Sequence, residues 1–138
     1  MNIISITRQL VADHQRLSIT EQYFGLHFPL AIEPTLYAVA DHLAEDYRGG
    51  YWHFYTLSNG GFYLAPQRED GFQVSCDNGY EGRLSADAFG IVCCLYAYSQ
   101  LSFSHQPALA EICARQFHWL RDYALDHAES GAILAAID

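Results

Sequence analysis

Lysine is absent from this 138-residue chain, so its positive charge rests on seven Arg, at positions 8, 16, 48, 68, 83, 115 and 121. Sixteen Asp and Glu set against them leave a net charge of −9. An electropositive groove for nucleic acid needs clustered Lys and Arg, and these Arg are scattered, so direct nucleic-acid binding is disfavoured. Long apolar runs are missing too. None approaches the ~20 residues of a membrane span, and Met1-Asn2-Ile3-Ile4 has no signal-peptide character, which predicts a cytoplasmic protein with no membrane partner. Cysteine is sparse: Cys93 and Cys94 sit together in an apolar run, Cys76 and Cys113 stand alone, and no CxxC or Cys/His spacing links them. Reduced, buried thiols are expected. HExxH, GxSxG, the P-loop and GxGxxG are also absent, so no catalytic residue and no cofactor is predicted.

The length fits one domain over residues 1–138, and such a chain buries roughly 68–70% of its unfolded surface without a metal or a disulfide. Ile3–Val11 has no clear period. Ser18-Ile19-Thr20-Glu21 has capping-box spacing, which predicts a short helix from there through Phe24, stopped by Gly25. Pro34 suits a first helical turn, and Leu36, Ala40, Leu43 and Tyr47 then recur on one face up to Gly49-Gly50. Strands are predicted near Tyr51–Leu57, Gly61–Ala65, Phe72–Cys76 and Tyr80–Leu84. Their short connections imply an antiparallel meander of three to four strands.

Ser85 is placed to cap a helix with Asp87 in its first turn, and Ala88–Tyr98 carries no strongly polar side chain, as a buried central helix requires. Beyond Pro107 an amphipathic helix shows Leu109, Ile112, Cys113, Phe117, Leu120 and Ala124 on one stripe. Gly131–Asp138 adds one more helical turn or frays. Helices, then strands, then helices make the class α+β.

Gly49–Pro66, GGYWHFYTLSNGGFYLAP, is the most informative stretch. Asn59-Gly60 predicts a two-residue type I′ turn, which would set Leu57 opposite Phe62 and Tyr55 opposite Leu64. Alternation then puts Tyr51, His53, Tyr55, Leu57, Phe62 and Leu64 on one face and Trp52, Phe54, Thr56, Tyr63 and Ala65 on the other. Neither face is polar. Either helices cover both, or one stays open and docks a partner.

Seven His invite a metal reading, a small metal-assisted hydrolase built on His/Asp pairs. His42 and Asp46 stand at i, i+4 with Asp41 and Glu45 beside them, and His118, Asp122 and Asp126 form a second row. Zinc takes three or four converging ligands, and solvated helix faces explain both rows more simply.

The Gly49–Pro66 string resembles the signature of the ArdB/KlcA antirestriction proteins of plasmids and other mobile elements. Arg16-Leu17-Ser18, Tyr23-Phe24-Gly25, Glu33 with Tyr37, Asp46-Tyr47, and Leu84-Ser85-Ala86-Asp87-Ala88 with Gly90 continue the resemblance in order; after Gln100 only the pattern matches. The resemblance implies a compact α+β fold and a protein with no catalysis of its own. It implies protection of incoming DNA from the host type I restriction–modification complex, met directly or through an associated cellular factor. It supplies no site residues. On exposure and chemistry, Tyr51, His53, Tyr55, Asn59, Asp41 and Glu45 are the candidate partner-binding residues.

An acidic antirestriction protein invites comparison with DNA itself. A chain of this length is about 37 Å across, a span over which duplex DNA carries about 22 charges. Net −9 is less than half of that, so whole-body DNA mimicry is not expected.

Overall fold

The computed structural model describes residues 5–138; the segment read for signal-peptide character, Met1 to Ile4, lies outside the described residues. In chain order the elements are β1 (Arg8–Leu10), α1 (Arg16–Phe24), α2 (Glu33–Leu43), β2 (Trp52–Leu57), β3 (Phe62–Pro66), β4 (Phe72–Ser75), β5 (Glu81–Leu84), α3 (Ala86–Leu101), α4 (Pro107–Ala124) and α5 (Ser130–Ile137). The class is α+β, as expected. The antiparallel strands divide between two sheets, β1-β2-β3 and β4-β5, where the sequence predicted one meander. The unassigned Ile3–Val11 stretch contributes the edge strand β1.

The hairpin is present, but its loop is one residue longer than predicted. Leu57 N–H donates to Gly61 O at 2.9 Å and Gly60 N–H to Leu57 O at 3.0 Å, so Ser58, Asn59 and Gly60 form the turn. Gly60 alone of these has positive φ, at 100°, which is the type I turn followed by a left-handed glycine that three-residue hairpins use. Thr56 therefore faces Phe62, Tyr55 faces Tyr63 and Phe54 faces Leu64. A one-residue slip turns a whole strand over, so the predicted faces are corrected. Trp52, Phe54, Thr56, Phe62 and Leu64 share the inner face, and Tyr51, His53, Tyr55, Leu57, Tyr63 and Ala65 the outer one.

The inner face meets Phe24 and Phe28: Phe62 lies edge-on to Phe24 at 5.3 Å, and Phe54 lies 5.8 Å from Phe28. Helix α1 starts two residues before the predicted capping box, with Gln15 at its N-cap and no side-chain cap; Ser18 is inside it. Gly25 stops it, as predicted. Helix α2 ends at Leu43, after which Ala44 is extended. Tyr47 leaves the predicted helical row and accepts the Trp52 indole N–H at 3.1 Å.

Ser85 caps α3 by accepting the Ala88 N–H at 3.1 Å, and eleven of its sixteen residues are buried, so it is the predicted central helix. It runs along the free edge of β3 and satisfies it. Tyr98 donates to Phe62 O at 2.7 Å, and Cys94 Sγ accepts Leu64 N–H at 3.4 Å. Pro66, which has no N–H to offer, finishes that edge. The approach is close enough that a Cβ on Gly90 would sit 2.3 Å from Leu64 O. On the other flank Phe89 stacks on Phe72 at 4.4 Å, joining α3 to the second sheet. Helix α4 buries Leu109, Cys113, Leu120 and Ala124 as predicted, and also Gln116.

Candidate partner-docking surface

His53 and Tyr55 alternate along β2 and Tyr51 just before it continues the alternation, so the three share the outer face of the hairpin. Their rings form a row that continues across the sheet. Centroids are 5.3 Å apart for Tyr51 and His53, 6.2 Å for His53 and Tyr55, 5.0 Å for Tyr55 stacked on Tyr63, and 5.7 Å for Tyr63 and Tyr123 of α4. Burial is graded along the row. Tyr51 is 44% exposed, His53 and Tyr55 are half-buried, and Tyr63 is buried under α4. Helices thus cover the β3 side of this face and leave a ledge open on the β2 side.

Two Arg that the sequence separates from this stretch meet the ledge: Arg8 lies over it, and Arg16, mostly buried, stands at the rim with its guanidinium 4.1 Å from the inner-face Phe54 centroid. The Arg16 guanidinium lies 4.7 Å from the Tyr51 centroid and donates to the Tyr51 hydroxyl and to Trp52 O, each at 2.7 Å. Tyr51 donates in turn to Asp13 Oδ1 at 2.5 Å, and that hydrogen bond pushes its phenol above the ordinary value. Arg8, on β1, places its guanidinium 4.3 Å from the Tyr55 centroid. Burial pushes the Tyr55 phenol up, against the pull of Arg8.

Behind the ledge a polar network fixes Arg8. Its Nη1 donates to Asp87 Oδ1 at 2.6 Å and to the Tyr63 hydroxyl at 2.8 Å, and Tyr63 donates to Asp87 Oδ1 at 2.8 Å. His127 Nε2 meets Asp87 Oδ2 at 2.8 Å, while its Nδ1 accepts the Glu129 N–H at 3.0 Å. The latter bond leaves Nδ1 as an acceptor, so the proton of neutral His127 is on Nε2 and points at Asp87. Burial alone would raise the Asp87 pKa, but hydrogen bonds from His127 and Tyr63 and the charge of Arg8 override it and hold the carboxyl below its ordinary value. The Glu129 carboxylate accepts from Ser85 N at 3.0 Å and from its hydroxyl, closing the network on the start of α3. Sequence reasoning missed Arg8, Arg16, Tyr63, Asp87 and His127 as parts of this surface. Only the scatter of Arg hinted at it, because gathering distant Arg is what a fold does and a sequence conceals.

The other candidate residues fall elsewhere. Asn59 uses both its polar ends on the fold: Nδ2 donates to Trp119 O at 2.9 Å and Oδ1 accepts Gly61 N–H at 3.0 Å. Asp41 and Glu45 are exposed near the end of α2. Glu45 lines an open cleft with His42, Asp46, Asp77 and Glu81, a different surface from the ledge.

The His/Asp rows come apart. Because α2 ends at Leu43, His42 and Asp46 are not one helical turn apart; His42 meets Asp77 at 3.0 Å and Asp46 pairs with Arg68 at 2.9 Å. Helix α4 ends at Ala124, before Asp126. Among the described residues no group of three or more His, Cys, Asp and Glu is placed to hold a metal. Among the described residues no helix is long and apolar enough to cross a membrane.

Comparison with known proteins gives this geometry a family. The model of the antirestriction protein family matches residues 45–138. The antirestriction protein KlcA of Escherichia coli is 44% identical over 135 residues, covering 96% of this chain and 95% of its own. The putative antirestriction protein YubI of Escherichia coli K12 is 34% identical, with 93% of each chain covered. A solved structure superposes over 100% of both chains with a TM-score of 0.90 and 40% identity. It is described as showing, for the KlcA and ArdB proteins, a novel fold and antirestriction activity against type I DNA restriction systems in vivo but not in vitro. By sequence and by fold together, this chain belongs to the ArdB/KlcA antirestriction family.

Proposed function

We propose that this protein protects incoming mobile-element DNA by inhibiting the host type I restriction–modification system through protein contact, without catalysis and without imitating DNA. The observation that carries this reading is the open half of the outer hairpin face, Tyr51, His53 and Tyr55 with Arg8 and Arg16 beside them. Tyr and Arg are the residue types enriched in the energetic centres of protein interfaces, where a rigid ring gives contact area at low entropic cost and a guanidinium gives directed donors. A DNA mimic needs aligned carboxylates instead. Here Asp13 and Asp87, the carboxylates bonded to the ledge residues, pair with Arg16 and Arg8.

The partner is the restriction complex or a cellular factor associated with it. The activity in vivo but not in vitro described for the KlcA and ArdB proteins favours the second of these for this chain as well. The site of action is the cytoplasm, where restriction takes place, and residues 1–138 act there as one domain.

Plating unmodified phage on a strain with an active type I system, with and without this protein, tests the activity. Relief of restriction for unmodified phage, with modified phage unaffected, is the expected result. Equal plating at verified soluble expression would falsify the reading. Contact through a ring-and-Arg ledge also tolerates moderate salt better than a charge-mimic contact, so an association that competes with DNA and vanishes as salt rises returns the mimic to first place.

A further inference from the structure

We propose that Arg8 reads a single carboxylate presented by the protein partner, in the groove between the β2–β3 outer face and the segment that follows β3. The inference rests on the docking reading of this face and names the chemistry that the docked partner brings. Arg8, His53, Tyr55, Gln67, Arg68 and Glu69 line the groove, with Asp87 at its base.

A guanidinium has five N–H donors. Both donors of Arg8 Nη1 are used, on Asp87 and Tyr63. The three on Nη2 and Nε have no partner among the described residues, and the side chain is 41% exposed. The used side and the free side therefore divide cleanly, with the inner nitrogen locked and the outer edge offered to the groove. Stacking on Tyr55 holds the guanidinium plane, so an incoming group meets a fixed fork and not a mobile chain. A carboxylate matches such a fork with two parallel bonds.

The neighbouring charges select one anion and reject many. Asp87 and Glu69 stand beside the groove and Asp13 beside Tyr51, the groove's other cation, Arg68, is paired with Asp46 at 2.9 Å, and the chain as a whole is net −9. A polyphosphate strand laid along the ledge meets all of these carboxylates, whereas one Asp or Glu side chain meets Arg8 and leaves the rest in water. The rings of Tyr55 and His53 then receive the apolar part of the same partner segment.

Side-chain NMR on the Arg Nε–H groups of the intact protein tests this with two probes, acetyl-Ala-Glu-Ala-amide and acetyl-Ala-Gln-Ala-amide. The Glu peptide is expected to move the Arg8 signal saturably and to bind at least about tenfold more tightly than the Gln peptide. Arg8→Ala strands Asp87 and Tyr63, so the informative variant is Arg8→Lys, which keeps the charge and loses the fork. It should abolish the Glu-over-Gln preference and cut restriction relief at least about tenfold, while Arg115→Ala, at an exposed site on α4, changes neither. Equal response to the two peptides overturns the proposal, as does an equal shift at Arg115 or full relief by a folded Arg8→Lys protein. A decathymidylate that moves Arg8 more than the Glu peptide does also overturns it and assigns the groove to phosphate. If the parent protein relieves no restriction the docking reading falls by itself, and the peptide titration still decides whether Arg8 takes a carboxylate.

Discussion

On the inner face of the hairpin Trp52, Phe54, Thr56, Phe62 and Leu64 have between them two polar side-chain atoms, the Trp52 indole nitrogen and the Thr56 hydroxyl; on the outer face Tyr51, His53, Tyr55 and Tyr63 have at least one on every ring. Both faces are aromatic, so the aromatic content of the strands says nothing about which one is core. The polar atoms decide. The indole nitrogen is satisfied by Tyr47, whereas Tyr51 at the rim and the buried Tyr63 are tied to charged groups, Asp13 with Arg16 and Asp87 with Arg8. Where no helix covers the outer face, at its Tyr51 end, a hydroxyl held at the edge of the sheet lets the ring stay in water, which Phe or Leu there would not.

Replacing Phe62 tests the comparison hardest. It is fully buried and touches Phe24, Phe28 and Phe54, so Phe62→Ala should cost about 3–5 kcal/mol out of a total near 5–15 kcal/mol. Urea denaturation measures it. A loss no larger than that of an outer-face Tyr would erase the distinction between the faces.

Gly90→Ala comes next. The added methyl collides with Leu64 O and the Ala65 Cα, and overpacking of this kind costs about 1–3 kcal/mol. The expected result is a lower midpoint with unchanged m-value. A neutral substitution would mean that α3 slides freely over β3, and that the outer face has no fixed backing.

A smaller effect is expected at Tyr55, half-buried and stacked on Tyr63. Tyr55→Ala should lower stability by about 1 kcal/mol and still abolish restriction relief on plates. If the variant melts like Phe62→Ala, the ledge is core and the docking assignment is wrong.

Asp87 gives the finest adjustment, through pH. Its folded pKa lies below the unfolded value near 3.9, so its contribution is fully present above that value and is lost as pH falls through the folded pKa. Asp87→Asn should therefore be less stable than the parent at neutral pH, and the gap should begin to shrink only below about pH 4 and close once the pH is below the folded pKa. Denaturation curves at neutral pH and below the folded pKa show whether the gap closes; a gap that persists in acid assigns the effect to shape.

The sequence made the existence of the hairpin plain and its register obscure, for a definite reason. Gly60 takes positive φ in a two-residue loop and in a three-residue loop alike, so Asn-Gly does not separate them. What selects the longer loop is tertiary: Asn59 reaches Trp119, and Gln116 Nε2 donates to Gly60 O at 3.1 Å. Both belong to α4, about sixty residues further along the chain. The central helix was legible because its burial is written in eleven consecutive uncharged residues and its cap in Ser85. The end of α2 was not, since Tyr47 continues the apolar period and only its bond to Trp52 shows that it serves a different element. For the same reason half of the ledge was readable, the three rings that alternate on β2. The Arg pair that makes it a surface came from β1 and α1.

Helix α3 lies where a fourth strand of the first sheet would otherwise run, and its Tyr98 and Cys94 occupy the backbone groups of β3 that such a strand would need. The β4-β5 ribbon consequently has no shared ladder with the sheet that bears the ledge. Lengthening or shortening the turn at Asp77–Gly79 changes the pairing of β4 with β5 and loosens its bonds to His42 of α2 and to the backbone of α5, where Asn78 donates to Ala135 O and Ala136 O. Such a change is felt at α2 and α5, but no strand ladder carries it to the sheet that aligns His53 and Tyr55.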